Sequence, residues 1–439
     1  MERGSVHGLI NDQNKIHTQI KKTNPINKRF LFDSTVSSWT TTATCTLYGS
    51  FNTGSSDSFQ ANSSAPKFLI NYADGSEAWG VWGRDTVSIG DINIGDMSFA
   101  IGQHSTSEIG VCGIGLPGLQ STAAKGYEYL NLPAKMLADG IIQKNAYSIF
   151  LNSSKGTQGS VLFGGVDRSK YKGDLVTLPM VNTYFTGKQV RSTIALKDIT
   201  LAVGRKKVKV TDGSYGVLLD TGATYTYVSE SVFHSIGKSL MGKYDSSLNA
   251  YLVNCPGKDA GTINFDFNGI TIDIPLGDLT TSFAEDICML TIFPKMGSNY
   301  FTLGNNFLRY TYVVFDLEDL EISLAKANYG GNPDIVEISR YIPGAAKAVG
   351  YLSTSIASSF GTGTIVQTLK YATASGSIAS SEISGESTRS SSSTSNSMLS
   401  TSTSVSAKVL SLSTADAGNG AGLQGILGLL FGVLLNIFV

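Results

Sequence analysis

"GVLLDTGATYTYVSE", Gly216 to Glu230, is the stretch on which the reading of this chain turns. Apolar residues lead straight into Asp220-Thr221-Gly222, and β-branched and aromatic residues follow. Such a run, broken by one glycine, reads as a strand, a tight turn and a second strand. A hydrophobic strand that ends on a carboxylate puts that group in a low-dielectric setting, where its pKa rises. Paired with a second carboxylate and sharing one proton, it can activate water as a base and protonate a scissile amide as an acid. Asp-Thr-Gly also occurs in ordinary turns, so the rest of the chain must supply the second carboxylate.

On both sides lie short runs rich in Val, Ile, Tyr and Phe, broken by Gly and Asp. They are "KFLINYADGSEAWGVWGRDTVSIG" from Lys67, "GSVLFGGVD" from Gly159, "GTINFDFNGITIDIP" from Gly261 and "YVVFDLEDLEISLAKA" from Tyr312. Alternation with period two and frequent turn residues predict an all-β architecture. Two helices are expected, over 133–143 with Pro133 in the first turn and over 229–240 with Ser229 as cap. "GIGLPG", 113–118, fits a dinucleotide-loop pattern, but Pro117 has no N–H to offer a phosphate and no helix is expected after it.

Charged residues make up 15% of the 439, well below the roughly 25% of average soluble proteins. A net charge of −1 without a basic cluster gives no footprint for nucleic acid. Four scattered histidines and four cysteines with no C-x-x-C pair predict no metal site. Residues 423–439 are uncharged and apolar, and "ADAGNGAG", 415–422, consists almost wholly of small residues. That order reads as a GPI-attachment signal, with Asn419 as the attachment residue and Asp416 or Gly418 as alternatives. A tail-anchor helix is the other reading. The first 22 residues hold no apolar core of a secretory signal, so the natural chain is expected to begin upstream of Met1. Between Thr373 and Ser406, 21 of 34 residues are Ser or Thr. Such a segment cannot bury enough apolar surface to offset its ordering entropy, which predicts a disordered stalk. Asn62 and Asn152 open N-x-Ser sequons.

Over Phe51 to Tyr329 the chain resembles the pepsin-like aspartic endopeptidases, in particular the fungal yapsins and candidapepsins. The segments that carry the likeness are "FLINYADGSEAWGVWGRDTVSI", "GVCGIGLPGL", "IIQKNAYSIFLNSS", "GSVLFGGVDRSKYKGDLVTLP" and "LGNNFLRYTYVVFDLEDLEISLA". The resemblance implies a bilobal all-β fold with a few short helices. Its expected division is an N-terminal remnant 1–17, a first lobe 18–175 with the flap, a second lobe 176–329, a stalk 330–415 and the anchor signal 416–439. It also implies Tyr72 as the flap tyrosine, Thr221 and Gly222 beside the substrate, a Cys255–Cys288 disulfide, and Cys45 left without its first-lobe partner. Cys112, in an apolar run, is expected to be buried and unbonded.

"FNTGSSDSF", 51–59, looks like the family's first catalytic loop with Asn52 in place of its aspartate. Counting removes it. The first carboxylate of the family precedes the flap tyrosine by about forty residues, whereas Asn52 precedes Tyr72 by 20. Asp33, in "FLFDSTVSSW", precedes Tyr72 by 39 and Asp220 by 187. Asp33 and Asp220 are therefore the expected catalytic pair, with Ser34 and Thr221 bracing the two loops. Three positions depart from the family pattern: Thr35 replaces a glycine, and Val36 and Ala223 lack hydroxyls that bond the carboxylates. The implied activity is peptide-bond hydrolysis of cell-surface or wall proteins by a monomer held to the membrane by a GPI anchor, without metal or cofactor. The alternative is a non-catalytic surface protein that binds peptides or serves as wall material, or the product of a truncated gene.

Overall fold

The computed structural model describes residues 51–72, 77–89, 92–106, 111–151, 158–183, 191–295, 300–351, 369, 371, 373 and the backbone of 409–413. Asp33, Asn152, Asn419, the 1–17 remnant, the 416–439 signal and most of the Ser/Thr-rich segment lie outside these residues. The architecture is mostly strands with a few short helices, as the bilobal aspartic-protease reading requires.

A seven-stranded sheet draws on both halves of the chain. Its order is Ala345–Lys347, Tyr171–Pro179, Glu321–Ala327, Thr311–Asp316, Ala146–Leu151, Gln158–Phe163 and Val409–Ser413. The middle strand, Thr311–Asp316, is buried at every position, because both faces of the sheet are covered. Period-two alternation sorts its side chains into two cores. Val313 and Phe315 join the large core with Tyr147, Ile149, Ile322 and Leu324. Tyr312 and Val314 join a smaller one with Phe150, Leu175 and Ala325. Tyr312 also donates its hydroxyl to Ser148 at 2.8 Å and accepts the Asp167 N–H at 2.7 Å, so its buried polar tip is satisfied.

The smaller core corrects the expected stalk boundary. Ile338 and Ile342, from the stretch assigned to the stalk from 330 onward, are buried there. Ile335–Glu337 pairs antiparallel with Gly165–Asp167, and Ala345–Lys347 forms the edge of the seven-stranded sheet, parallel to Tyr171–Pro179. Packed backbone thus continues to Tyr351, and Leu369 is also buried. The dense Ser/Thr segment itself begins only at Thr373, so the chain from 330 to 351 belongs to the packed part of the fold.

On the N-terminal side, Glu77–Ile89 and Ile92–Ser105 form a long antiparallel hairpin, flanked by Phe68–Asn71 and Gln60–Ala61. The C-terminal side holds a five-stranded sheet, described below, and two four-stranded sheets. The first expected helix is shorter than its pattern, spanning Leu132–Ala138 with Asn131 as cap. It stops because Gly140 takes a left-handed φ of 68°, and Ile142 continues into the core outside it. The second spans Glu230–Ser239, with Ser229 accepting the Val232 N–H. Pro117 opens a single 3-10 turn, so "GIGLPG" starts no phosphate-binding helix.

Cys255 and Cys288 are bonded, with a Cα separation of 4.8 Å, and they tie neighbouring strands across a sequence separation of 33. Cys112 is unbonded and packs against the large core, where burial pushes its thiol up to about 12. Cross-linking a loop of this length removes chain entropy from the unfolded state. Replacing Cys255 and Cys288 together by serine is expected to lower the unfolding free energy by about 2–4 kcal/mol. Urea titration of both proteins under non-reducing conditions checks this, and coincident midpoints would refute it.

Candidate active site

The site begins with the strand Tyr215–Leu219, every residue of which is buried. It pairs parallel with Phe301–Leu303 and antiparallel with Thr193–Leu196, so both of its edges are used. Its far end delivers Asp220, only 6% exposed, whose N–H bonds to the Leu303 carbonyl at 3.0 Å. The chain then turns back on itself. The Gly222 N–H donates to Asp220 Oδ1 at 2.8 Å, and the Ala223 N–H donates to the Asp220 carbonyl at 3.3 Å. Thr221 is buried beside it. Asp220, Thr221 and Gly222, named from the sequence, therefore share one tight turn.

A second loop clamps that turn from outside. The Asn305 N–H bonds to the Ala223 carbonyl at 2.7 Å and the Asn306 N–H to the Thr224 carbonyl at 3.2 Å. So close an approach needs Gly304, where a Cβ would lie 2.4 Å from the Ala223 oxygen and 2.3 Å from the Tyr225 oxygen. The Asn306 side chain accepts from Thr226 Oγ1 at 2.8 Å and donates to the Thr291 carbonyl at 2.9 Å, which pins the returning strand. These buried polar atoms are satisfied as a network, so the turn has a single geometry.

Burial pushes the Asp220 carboxyl up from 3.8 to about 6, against the Gly222 N–H, the nearby Lys295 charge and the Ala223 N–H, which favour the ionised form. Lys295 is a residue that the sequence reading missed. Its N–H bonds to the Val228 carbonyl at 2.7 Å, and its Nζ donates to Thr302 Oγ1 at 2.7 Å. An isolated lysine after a three-residue strand carries no sequence signal; only the fold brings it to Asp220.

Tyr72 follows the strand Phe68–Asn71 at the end of the hairpin and is half-buried. It lies close enough to Tyr129 to help hold that phenol protonated, after the larger effects of burial, Cys112 and Tyr127. Asn52 caps the single 3-10 turn Thr53–Ser55 by accepting the Gly54 N–H at 3.0 Å. The following serines, Ser56 and Ser58, donate to Asp85, a buried carboxylate on the hairpin strand. Asn62 is half-buried, and its amide donates to the Tyr127 hydroxyl at 3.1 Å, a bond that a glycan at that nitrogen would displace. Among the described residues no group of three or more His, Cys, Asp or Glu side chains could hold a metal ion.

The Asp220 shift has a consequence for stability. The folded chain holds this proton more tightly than the unfolded chain does. Its contribution is therefore complete below about pH 4 and is lost as the pH rises through about 6. Wild type is expected to lose up to about 3 kcal/mol relative to Asp220→Asn between those values. Chemical denaturation of both proteins across that range is the measurement. A constant difference would mean that Asp220 titrates as it does in water.

Comparison with known proteins bears on this geometry. Residues 30–327 match the family model described as eukaryotic aspartyl protease. The chain is 41% identical over 297 residues to secreted aspartic protease 9 of Candida albicans, covering 66% of this chain and 54% of that protein. It is 38% identical over 323 residues to aspartic proteinase yapsin-3 of Saccharomyces cerevisiae, covering 71% and 63%. It is 36% identical over 290 residues to an acid protease of Saccharomycopsis fibuligera, covering 65% and 73%. The chain thus spans between half and two-thirds of the length of the first two relatives. The turn at Asp220, the strand that delivers it and the glycine that clamps it are those of a chain that belongs to the eukaryotic aspartyl protease family.

Proposed function

We propose that the chain is an aspartic endopeptidase in which Asp33 and Asp220 share one proton and activate a water against a peptide carbonyl. The observation that carries this reading is Asp220 itself, a buried carboxyl that keeps its proton into the weakly acid range. In the mechanism one carboxylate of the pair takes a proton from water as its oxygen attacks the carbonyl carbon. The protonated partner gives its proton to the carbonyl oxygen, and the leaving nitrogen is protonated as the tetrahedral intermediate collapses. Tyr72 closes over the bound peptide. The pair titrates as a unit, so its two apparent pKa values belong to neither aspartate alone.

Names of relatives such as "secreted aspartic protease" support a secreted or cell-surface location, as does a disulfide, which persists in oxidising compartments. No helix among the described residues is long and apolar enough to cross a membrane. Attachment through a GPI anchor at Asn419, the Ser/Thr-rich stalk, cell-surface or wall proteins as substrates and a monomeric state belong to the same proposal. The second reading, a non-catalytic peptide-binding protein, draws on Thr35. A β-branched residue where the family has glycine disfavours the close backbone approach that a catalytic turn needs.

Purified full-length chain assayed on quenched fluorescent peptides across the acid range separates the two. Asp33→Asn and Asp220→Asn are each expected to lower kcat/KM by at least about a thousandfold. Asn52→Asp is expected to leave it unchanged, because that side chain caps its own turn. Full activity in Asp33→Asn, or a large gain in Asn52→Asp, would overturn the choice of first carboxylate. Folded wild type without hydrolysis selects the binding reading.

A further inference from the structure

We propose that Val409–Ser413 is a docking strand, which closes the Ser/Thr-rich segment into a loop on the domain instead of leaving it as a free stalk. The consequence for reach rests on the reading of Asn419 as the anchor residue; the docking itself does not.

The strand beneath it carries none of the usual protection of a sheet edge. Gln158–Phe163 reads "QGSVLF", with no charge and no proline, and it pairs with Ala146–Leu151 in an unbroken register. Left open, such an edge presents a row of N–H and C=O groups that recruits other strands. The four-stranded sheet that contains Asp198–Val203 shows the contrast. One of its edges, Lys206–Lys209, carries three lysines, and the other, Thr271–Pro275, carries Asp273 and ends on a proline. The far edge of the seven-stranded sheet is closed instead by Ala345–Lys347. Val409–Ser413 closes the near edge in the same manner. It runs antiparallel to its neighbour, with Val409 opposite Leu162 and Ser413 opposite Gln158.

The sequence agrees with this pairing. Residues 374–408 are dominated by Ser and Thr, whereas Val409, Leu410 and Leu412 fall within four positions and alternate at their end with Ser411 and Ser413. Alternation of that kind is a strand signal. The other end of the segment is held as well. The Leu369 N–H donates to the Ser239 carbonyl at 2.8 Å, the Tyr371 hydroxyl donates to the Asn254 carbonyl at 2.9 Å, and Thr373 bridges Pro256. Residues 374–408 thus run between two fixed points, and the cost of closing a loop grows only slowly with its length. Asn419 follows Thr373 by 46 residues and Ser413 by six. Fully extended, these separations reach about 160 Å and about 20 Å. With the strand docked, the anchor residue stays beside the sheet edge and the cleft works close to the membrane. With the strand released, the same chain lets the domain range several times farther.

Hydrogen–deuterium exchange on the full chain tests this, with wild type compared to Leu410→Pro combined with Ser411→Pro. Alternate amides of a strand face a given neighbour, so one of two consecutive prolines must remove a bond to the edge. In the variant, alternate amides within 158–163 are expected to exchange about tenfold faster, while those within 146–151 are unchanged. Equal exchange at 158–163 in the two proteins would overturn the docking. So would protection that disappears on dilution, because the strand would then pair between copies. Wild type alone gives a second test that does not depend on how the variant folds. Its amides at 409–413 should exchange more slowly than those at 400–406, and equal rates there would also overturn the proposal. On membrane-attached chain, energy transfer from a dye on the domain to lipid acceptors should fall in the variant. A chain that protects 158–163 but does not attach to membranes would keep the docking and remove only the anchor reading.

Discussion

The structure around the site is organised by one constraint: a carboxyl has been carried out of water on the end of a fully buried strand. Tyr215–Leu219 can be apolar throughout because sheet neighbours cover both its edges. Asp220 then arrives where ionisation is costly, and everything near it limits that cost without removing it. The Gly222 N–H accounts for one oxygen, and the backbone of Leu303 fixes the Cα. Gly304 lets two carbonyls of the turn approach where any side chain would collide. A change at Gly304 or Asn306 would act on Asp220 by displacing the turn, not by touching the carboxyl.

That turn stands on a platform to which both halves of the chain contribute through one shared sheet. Strands from 146–179 flank those from 311–327 on both sides in the seven-stranded sheet, so neither half can complete its core without the other. The two sets of side chains on Thr311–Asp316 make this concrete. Phe315 belongs to the large core that continues under the active-site strands, while Val314 faces the smaller core closed by Ile338 and Ile342. Residues far beyond the last active-site strand therefore contribute to the rigidity of the platform. Lys144 pairs with the buried Asp316 and the exposed Asp319 at the end of the same strand, so loss of Lys144 would strand the buried Asp316 charge.

What could be read from the sequence follows the range of the interactions concerned. Asp220 and its turn were legible because strand, carboxylate and glycine are consecutive, and the starts of both helices, at Pro133 and after the Ser229 cap, were legible for the same reason. The Cys255–Cys288 pairing came through resemblance; four cysteines alone leave the partners open. Local pattern misled where geometry is long-range. The 133–143 helix pattern ran through Gly140, whose left-handed φ ends the helix early. Ile338 and Ile342 look like stray apolar residues in a stretch without period, and their burial depends on a strand more than twenty residues earlier in the chain. Lys295 lies 75 residues after Asp220, and nothing in "FPKMGSNYF" distinguishes a lysine near a buried carboxyl from a solvated one. "FNTGSSDSF" is the opposite case, a stretch whose letters suggest chemistry. Its side chains are engaged in capping a turn and in tying that turn to Asp85.

The spacing between Lys295 and Asp220 joins these points. A lysine in direct contact would act as a salt-bridge partner and pull the carboxyl well below the usual carboxylate range, which suits a structural aspartate and disables a proton donor. A lysine far away would leave desolvation opposed only by the Gly222 and Ala223 N–H groups, and the carboxyl would hold its proton to higher pH. The ammonium is instead tethered to Thr302 and the Tyr300 ring, beyond ion-pair distance but within reach of the field. Asp220 keeps a pKa of about 6, raised by burial and restrained by charge.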